Sequence, residues 1–396
     1  MRTVTSPKQQ SAVGRASNAA PASSGSNYDE PSMTSERELL DQLRTVTDPQ
    51  LDDDVVSLGL VNDVAVEDGT AHVSLALNTP HAPGEMELGD RIRTAVSDLD
   101  LEPELHAGVD EELGFDTEVY PNVKNVIAVA SGKGGVGKTT VATNLAAGLS
   151  DLGANVGILD ADIHGPNVPR ILNVEDEPAL TDDQRLVPPT SDGISVMSMR
   201  FLTENEDDPA VLRGPMVNNI LVQFIEDVEW GLLDYLVVDL PPGTGDASLN
   251  LLQSVPVAGA VIVTTPQQMA VDDARKGLEL FEQHDAEVLG IVENMSGFQC
   301  PNCGDIHEVF GQDGADGIVE DYGVELLGRL PVHPELGAEG TGRPAVTDED
   351  SEVAEPLSEL VETVADRVGE INRRTVGEHR SDDSGPAEWL EEDATN

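Results

Sequence analysis

Residues 132–139 read Gly-Lys-Gly-Gly-Val-Gly-Lys-Thr, and no other eight residues of the chain restrict its fold so strongly. They fit the pattern G-x-x-x-x-G-K-[ST], and they lie between an apolar run, Val126–Ala130, and a segment with helical patterning. That strand–loop–helix context separates a phosphate loop from a glycine-rich turn that matches by chance. The glycines let the backbone curl until its N–H groups face phosphate oxygens, and the following helix adds its positive dipole end. Within this loop Gly132, Lys133, Gly134, Gly135, Val136, Gly137, Lys138, Thr139 and the adjoining Thr140 form the expected nucleotide cradle. Lys138 is expected to reach the β- and γ-phosphates, and the Thr139 hydroxyl to ligate Mg²⁺.

A phosphate loop demands a parallel sheet behind it, and the downstream sequence supplies one. Apolar strand candidates recur at Val126–Ala130, Val156–Leu159, Leu236–Val238, Ala260–Thr264 and Leu289–Val292, with helical segments between them. Alternation of this kind gives an α/β fold, a doubly wound parallel sheet of the P-loop NTPase type. Several strands end in small or acidic residues, as a crevice at the carboxyl edge of such a sheet requires. The hydrophobic run Tyr235–Val238 ends in Asp239, a pattern suited to holding Mg²⁺ directly or through water. Asp160-Ala161-Asp162 follows another strand. The last helix is marked by Val353, Leu357, Leu360, Val361, Val364, Val368 and Ile371 on one face.

Upstream, a smaller α/β unit occupies residues 33–110. Leu39, Leu40, Leu43 and Val46 have helical spacing, and Val64 and Val66 precede an Asp68-Gly69 turn. Val73, Leu75 and Leu77 then alternate as a returning strand, and Leu88, Ile92, Val96 and Leu99 mark a second helix. Residues 1–32, rich in Ser, Ala, Gly and Gln, read as a disordered tail, and 111–122 as an acidic linker. The nucleotide-binding domain is assigned to 123–375, and 376–396 to an acidic flexible tail.

The formal net charge is −53, from 75 acidic against 22 basic residues, and the excess is spread along the chain. High charge with few aromatics can mean disorder, but the periodic apolar segments confine that reading to the termini. The remaining explanation is a protein adapted to concentrated salt, where screening shortens to ~3 Å at 1 M; a halophilic source is expected. The same charge argues against nucleic acid or an anionic membrane as partners, both being polyanions. No apolar run approaches bilayer length and the N-terminus lacks a secretory apolar core, so a cytoplasmic location is expected.

Further motifs resemble one family, the Mrp/ApbC P-loop ATPases that carry iron–sulfur clusters. Leu159-Asp160-Ala161-Asp162-Ile163-His164-Gly165-Pro166-Asn167 is similar to their LDADIYGPS segment, with His and Asn as departures. Leu212-Arg213-Gly214-Pro215-Met216, Asp239-Leu240-Pro241-Pro242-Gly243-Thr244-Gly245-Asp246, Thr264-Thr265-Pro266-Gln267 and Val292-Glu293-Asn294-Met295-Ser296 also match. The second lysine, Lys133, resembles that of the deviant loop shared with nitrogenase iron protein and MinD/ParA. By that resemblance Lys133 reaches the nucleotide of a partner subunit, which implies an ATP-dependent homodimer. Of the chain's five lysines, two lie in this one loop. The resemblance further makes Asp162 the switch residue that orients the attacking water, and places Asn294 against the adenine. Residues 33–110 resemble the small iron–sulfur assembly domain that precedes such ATPases, through Asp48-Pro49-Gln50-Leu51 and Val56-Ser57-Leu58-Gly59-Leu60-Val61. Where that domain often has a cysteine after Thr-Pro, this chain has Asn78-Thr79-Pro80-His81-Ala82-Pro83, so the unit is assigned to partner docking.

Cys300-Pro301-Asn302-Cys303 sits where the family places its C-x-x-C. The residues alone leave several readings open. A redox dithiol fits poorly, because the surroundings are not a thioredoxin-like unit. Cys300, Cys303 and His307 would serve zinc, lacking one ligand. A knuckle without metal is a third reading. A 4Fe–4S cluster takes four thiolates; this chain offers two, so a symmetric dimer would supply all four across its axis. The expected function is an ATP-hydrolysing carrier that passes its cluster to apo-proteins, with scaffold proteins as further partners. The alternatives are a nucleotide-locked scaffold with structural zinc and a MinD/ParA-like positioning ATPase. The positioning reading needs a basic surface that the acidic C-terminus does not offer.

Overall fold

The computed structural model describes residues 36–108, 122–162, 165–202, 220, 224, 227–243, 257–284, 286–300, 303, 305–311, 313–337, 344–348 and 350–383. The tail 1–32, nearly all of the linker and the Leu212–Met216 segment lie outside the described residues.

The chain opens with α1 (Glu36–Leu43), then β1 (Val61–Glu67), β2 (Thr70–Leu75), α2 (Pro83–Ser97) and β3 (Glu102–Ala107). These make the small α/β unit, with β1 antiparallel and β3 parallel to the central β2. Leu39, Leu43, Val73, Leu75, Leu88, Ile92 and Val96, all completely or nearly completely buried, fill its core. The helix and strand spacing read from the sequence therefore mark residues that face one another.

The second unit contains β4 (Val123–Ala130), α3 (Lys138–Asp151), β5 (Val156–Asp160), α4 (Val168–Ile171), β6 (Ala179–Leu180), β7 (Leu186–Val187), β8 (Thr190–Ser191) and β9 (Ile194–Ser198). It continues with β10 (Leu233–Asp239), β11 (Gly259–Thr264), α5 (Gln268–Glu282), β12 (Val288–Gln299), β13 (Ile306–His307), α6 (Asp316–Tyr322), β14 (Leu326–Val332) and α7 (Ala354–Asp383). Its sheet runs β13-β12-β11-β4-β10-β5-β9-β8, with β14 also paired to β12. The pairs from β9 across to β12 and β14 are parallel; β8 and β13 add antiparallel edges. Strands buried on both faces alternate between two cores. Ile127 and Val129 join the core under α3 and α7, while Val126, Ala128 and Ala130 join the one under α5 and α6.

Helix α7 runs past residue 375 to Asp383, so the expected acidic tail begins as helix. The physical reason is a contact that the local pattern does not show. Val376, fully buried, packs into the core of the small unit, and Arg380 donates to the Gly59 carbonyl and to Asn62 Oδ1 at 2.6 Å. Arg373, only 1% exposed, ties the two units together: its Nε lies 2.8 Å from Asp48 Oδ2, and its other nitrogens reach Glu85 and Gln50. Burial pushes the Glu85 carboxyl up, while the Thr79 hydroxyl, the Arg373 charge and the Thr79 N–H pull it back. The Asp48-Pro49-Gln50 segment is thus a docking element for α7, and Asp48 also accepts from the Gln50 and Leu51 amides.

Candidate functional site

The phosphate loop joins the end of β4 to the first turn of α3. Gly137, in the left-handed region at φ 87°, caps α3, and Gly135 has φ 82°. A Cβ on Gly132 would come within 2.2 Å of the Asp273 backbone in α5, so the loop can lie against that helix only with glycine there. Lys138 opens α3 and is buried; its Nζ pairs with Asp239 Oδ1 at the end of β10. Thr139 Oγ1 donates to the other oxygen of the same carboxylate at 2.7 Å. Lys133, Gly134, Gly135, Gly137, Lys138, Thr139, Thr140 and Asp162 line one open pocket, together with Gly165, Asn167 and Pro242. Val136, by contrast, is buried beneath the loop.

Two fully buried acids stand side by side at the carboxyl edge, since Asp239 and Asp160 are register partners on β10 and β5. Burial, and then the Asp239 charge, push the Asp160 carboxyl well above its ordinary range. Asp239 is also raised by burial, against the pull of Lys138. Asp160 organises the switch segment: it accepts from the Asp162 amide at 3.3 Å, the Val168 amide at 3.1 Å and the Ser198 hydroxyl at 3.1 Å. Sequence reasoning singled out Asp162 and passed over this role of Asp160. The signal was there, in an acid closing a fully apolar strand. Asp162 itself faces the pocket and accepts from Gly165 N at 3.3 Å.

Asn294 is buried beneath the loop, where its amide donates to the Val136 carbonyl at 2.9 Å. It holds the loop from below, whereas the resemblance places Asn294 against the adenine.

The thiols lie elsewhere on the sheet. β12 continues past the end of its pairing with β11 and turns back as β13, with Phe298 opposite His307 and the Cys300 amide bonded to the Asp305 carbonyl at 2.9 Å. Cys303 and His307 are exposed and Cys300 half-buried, and one ligand atom from each falls within 4.8 Å of the others. His81 is exposed on the small unit and belongs to neither of the two candidate metal-ligand groups among the described residues. Among those residues, no helix is long and apolar enough to cross a membrane.

Known proteins match this chain in both units. A family model described as NUBPL iron-transfer P-loop NTPase matches residues 122–365, and one described as iron-sulfur cluster assembly protein matches 36–104. A Synechocystis protein named iron-sulfur cluster carrier protein is 42% identical over 342 residues, 83% of this chain and 97% of that one. A protein of the same name from Deinococcus radiodurans is 40% identical over 86% of this chain and 97% of its own. Among solved structures, a nucleotide-binding protein in complex with ADP from Archaeoglobus fulgidus is 37% identical, with a TM-score of 0.50 over 63% of this chain and 90% of that one. The phosphate loop, its buried acids and the length of these matches together establish that the chain belongs to the iron-transfer P-loop NTPase family, with an iron–sulfur cluster assembly domain in front.

Proposed function

We propose that this protein binds and slowly hydrolyses ATP and carries an iron–sulfur cluster, which it hands to apo-proteins. The observation that carries this reading is the placement of two thiols just past the end of β12, at the edge of the sheet where the phosphate loop sits. Ala130, the last residue of β4, is in register with Ile262, and Ile262 with Ile291. From Ile291 the strand continues to Gln299, a reach of at most about 26 Å at ~3.3 Å per residue. A nucleotide-driven change at the loop and a cargo at Cys300 and Cys303 can thus share one end of one sheet.

The residues of the phosphate site divide the work of binding and hydrolysis. Backbone amides of residues 132–140 hold the phosphates, and Lys138 neutralises the charge that develops on them. The Thr139 hydroxyl and the Asp239 carboxylate are hard oxygen donors already in contact, the set a small hard cation takes; they would hold Mg²⁺, which supplies charge neutralisation at the phosphates. Asp162 orients the attacking water, and Asp160 fixes the segment that carries it. Lys133, in the same pocket, reaches across to the nucleotide of a second subunit.

Cargo binding completes the scheme. Two chains would bring four thiolates to one 4Fe–4S cluster on their axis. A cargo held at a subunit seam responds to any shift of one subunit on the other. The protein acts in the cytoplasm on apo iron–sulfur clients and cluster scaffolds, without nucleic acid or membrane. His307 beside the thiols supports a second reading, in which the same site holds zinc.

Iron, sulfide and zinc per chain after oxygen-free purification separate the two. About two iron and two sulfide per chain, lost in Cys300→Ser/Cys303→Ser, are expected for one bridged cluster per dimer. Stoichiometric zinc without sulfide would overturn the cargo reading.

A further inference from the structure

The small unit carries a second group of metal-ligating side chains, far simpler in construction than the phosphate site. Successive side chains of a strand alternate between its faces. In β2 and β3, Val73 turns to the core, while His72, Glu104 and His106 point outward. The parallel register sets His72 opposite Glu104 and Ser74 opposite His106, so the three ligands are neighbours by backbone geometry alone. His72 Nδ1 lies 3.4 Å from one Glu104 oxygen, and His106 Nε2 lies 3.5 Å from the other. The two imidazole rings are stacked, 10° from parallel with centroids 6.2 Å apart. One ligand atom from each of the three residues falls within 4.8 Å of the others.

We propose that His72, Glu104 and His106 form a binding site for a divalent first-row transition cation such as Zn²⁺, Co²⁺ or Fe²⁺. Two imidazoles and one carboxylate suit borderline cations, whereas Ca²⁺ and Mg²⁺ take all-oxygen sets. Ligand bonds of about 2.0–2.2 Å require the three side chains to close in by roughly 1 Å, a rotamer adjustment open to exposed side chains. Three protein ligands leave at least one position to water or to a group from another molecule. Such a site is open, unlike a closed structural one. Strong negative charge over the whole chain raises the local cation concentration further. The site shares no residue with Cys300, Cys303 or His307, so it stands or falls independently of the cargo reading.

The experiment uses the full chain carrying Cys300→Ser and Cys303→Ser, which removes the thiol ligands, in molar KCl to suppress diffuse binding to surface carboxylates. Zn²⁺ is titrated by calorimetry, and Co²⁺ by visible absorption. One ion per chain is expected, with Co²⁺ giving d–d bands and no thiolate charge-transfer band. Adding His72→Gln or His106→Gln should weaken binding by well over about tenfold, since even outer-shell partners are worth that much. Unchanged stoichiometry and affinity in the His72→Gln/His106→Gln protein would overturn the proposal. So would equal competition by Mg²⁺, the mark of diffuse carboxylate binding. As a check without variants, Zn²⁺ should protect His72 and His106 of the unsubstituted protein from acylation by diethyl pyrocarbonate, read by peptide mass spectrometry. Equal modification with and without Zn²⁺ would count against the site.

Discussion

The phosphate loop and the thiol hairpin hang from strands of one parallel sheet, and their surroundings are opposite. At the loop, Lys138 is 6% exposed and Asp239 fully buried, and each has partners from a different element. At the hairpin, Cys303 and His307 are exposed, His307 on a two-residue edge strand and Cys303 in the turn before it. The Arg373 node belongs with the phosphate loop, since Arg373 and Asp48 are almost wholly buried. The His72, Glu104 and His106 group belongs with the thiols, being half-buried to exposed. Charge buried among several partners holds one geometry and is costly to disturb; ligands at the surface can exchange what they hold. Substitutions in the two kinds of region should therefore differ more in their effect on stability than in their effect on binding.

The largest effect is expected at the Arg373 node. Arg373→Ala leaves Asp48 and Glu85 buried without their cation, and losing one partner of a buried pair costs about 3–5 kcal/mol. Urea unfolding followed by a probe in each unit would show it, with the small unit released first. A loss under about 1 kcal/mol would mean that the node is hydrated and that the grouping with the phosphate loop is wrong.

That node also shows where reading the sequence stops. The phosphate loop, its flanking strand and helix, and Asp239 are all local: apolar run, glycines and acid follow one another along the chain. The α/β class and the core faces of α1, α2 and α7 are legible for the same reason. Arg373 looks like an ordinary helix-surface charge and Arg380 like part of the acidic tail, because their partners Asp48 and Asn62 lie at the other end of the chain. β12 is expected to be four residues long and is twelve, because Glu293, Asn294 and Ser296 interrupt its apolar run. Pairing with β14 and β13 carries it on. β3, Glu-Pro-Glu-Leu-His-Ala, has no strand-like composition at all, and it is the register with β2 that makes it one. The His72, Glu104 and His106 group was invisible for that reason.

Lys138→Ala is next. Removing a preorganised charge from a transition-state site costs on the order of 10²–10³-fold in rate, about 2.7–4 kcal/mol. Steady-state ATP hydrolysis should fall by that factor while Cys300→Ser/Cys303→Ser retains the parent rate. Equal loss in both would mean that hydrolysis requires the cargo site, and the two regions would be one device.

Gly132→Ala tests the loop by volume instead of charge. The added Cβ meets the Asp273 backbone at 2.2 Å, so the loop or α5 must move. Overpacking of this kind costs about 1–3 kcal/mol, and nucleotide affinity should fall with it, measured by calorimetry with ADP. A parent-like melting temperature with parent-like affinity would show that α5 yields freely and that the loop is not held from that side.

The smallest effect is the most discriminating. Cys300→Ser/Cys303→Ser changes two side chains on an edge hairpin, and surface substitutions away from buried features stay within about 0.5 kcal/mol. In the metal-free protein, the thermal midpoint should therefore match the parent. If the thiols and His307 held structural zinc, the ion's binding energy would be folding energy. The parent purified with its metal would then melt well above the double variant, and a chelator would erase the gap. A cluster carried as cargo predicts a weaker response. Cluster loss under oxygen should leave the midpoint of the monomer nearly unchanged and show itself in subunit association, because the four thiolates belong to two chains. Sedimentation of loaded and unloaded protein, run beside the melts, therefore separates an ion that maintains the fold from a cluster that joins two folded chains.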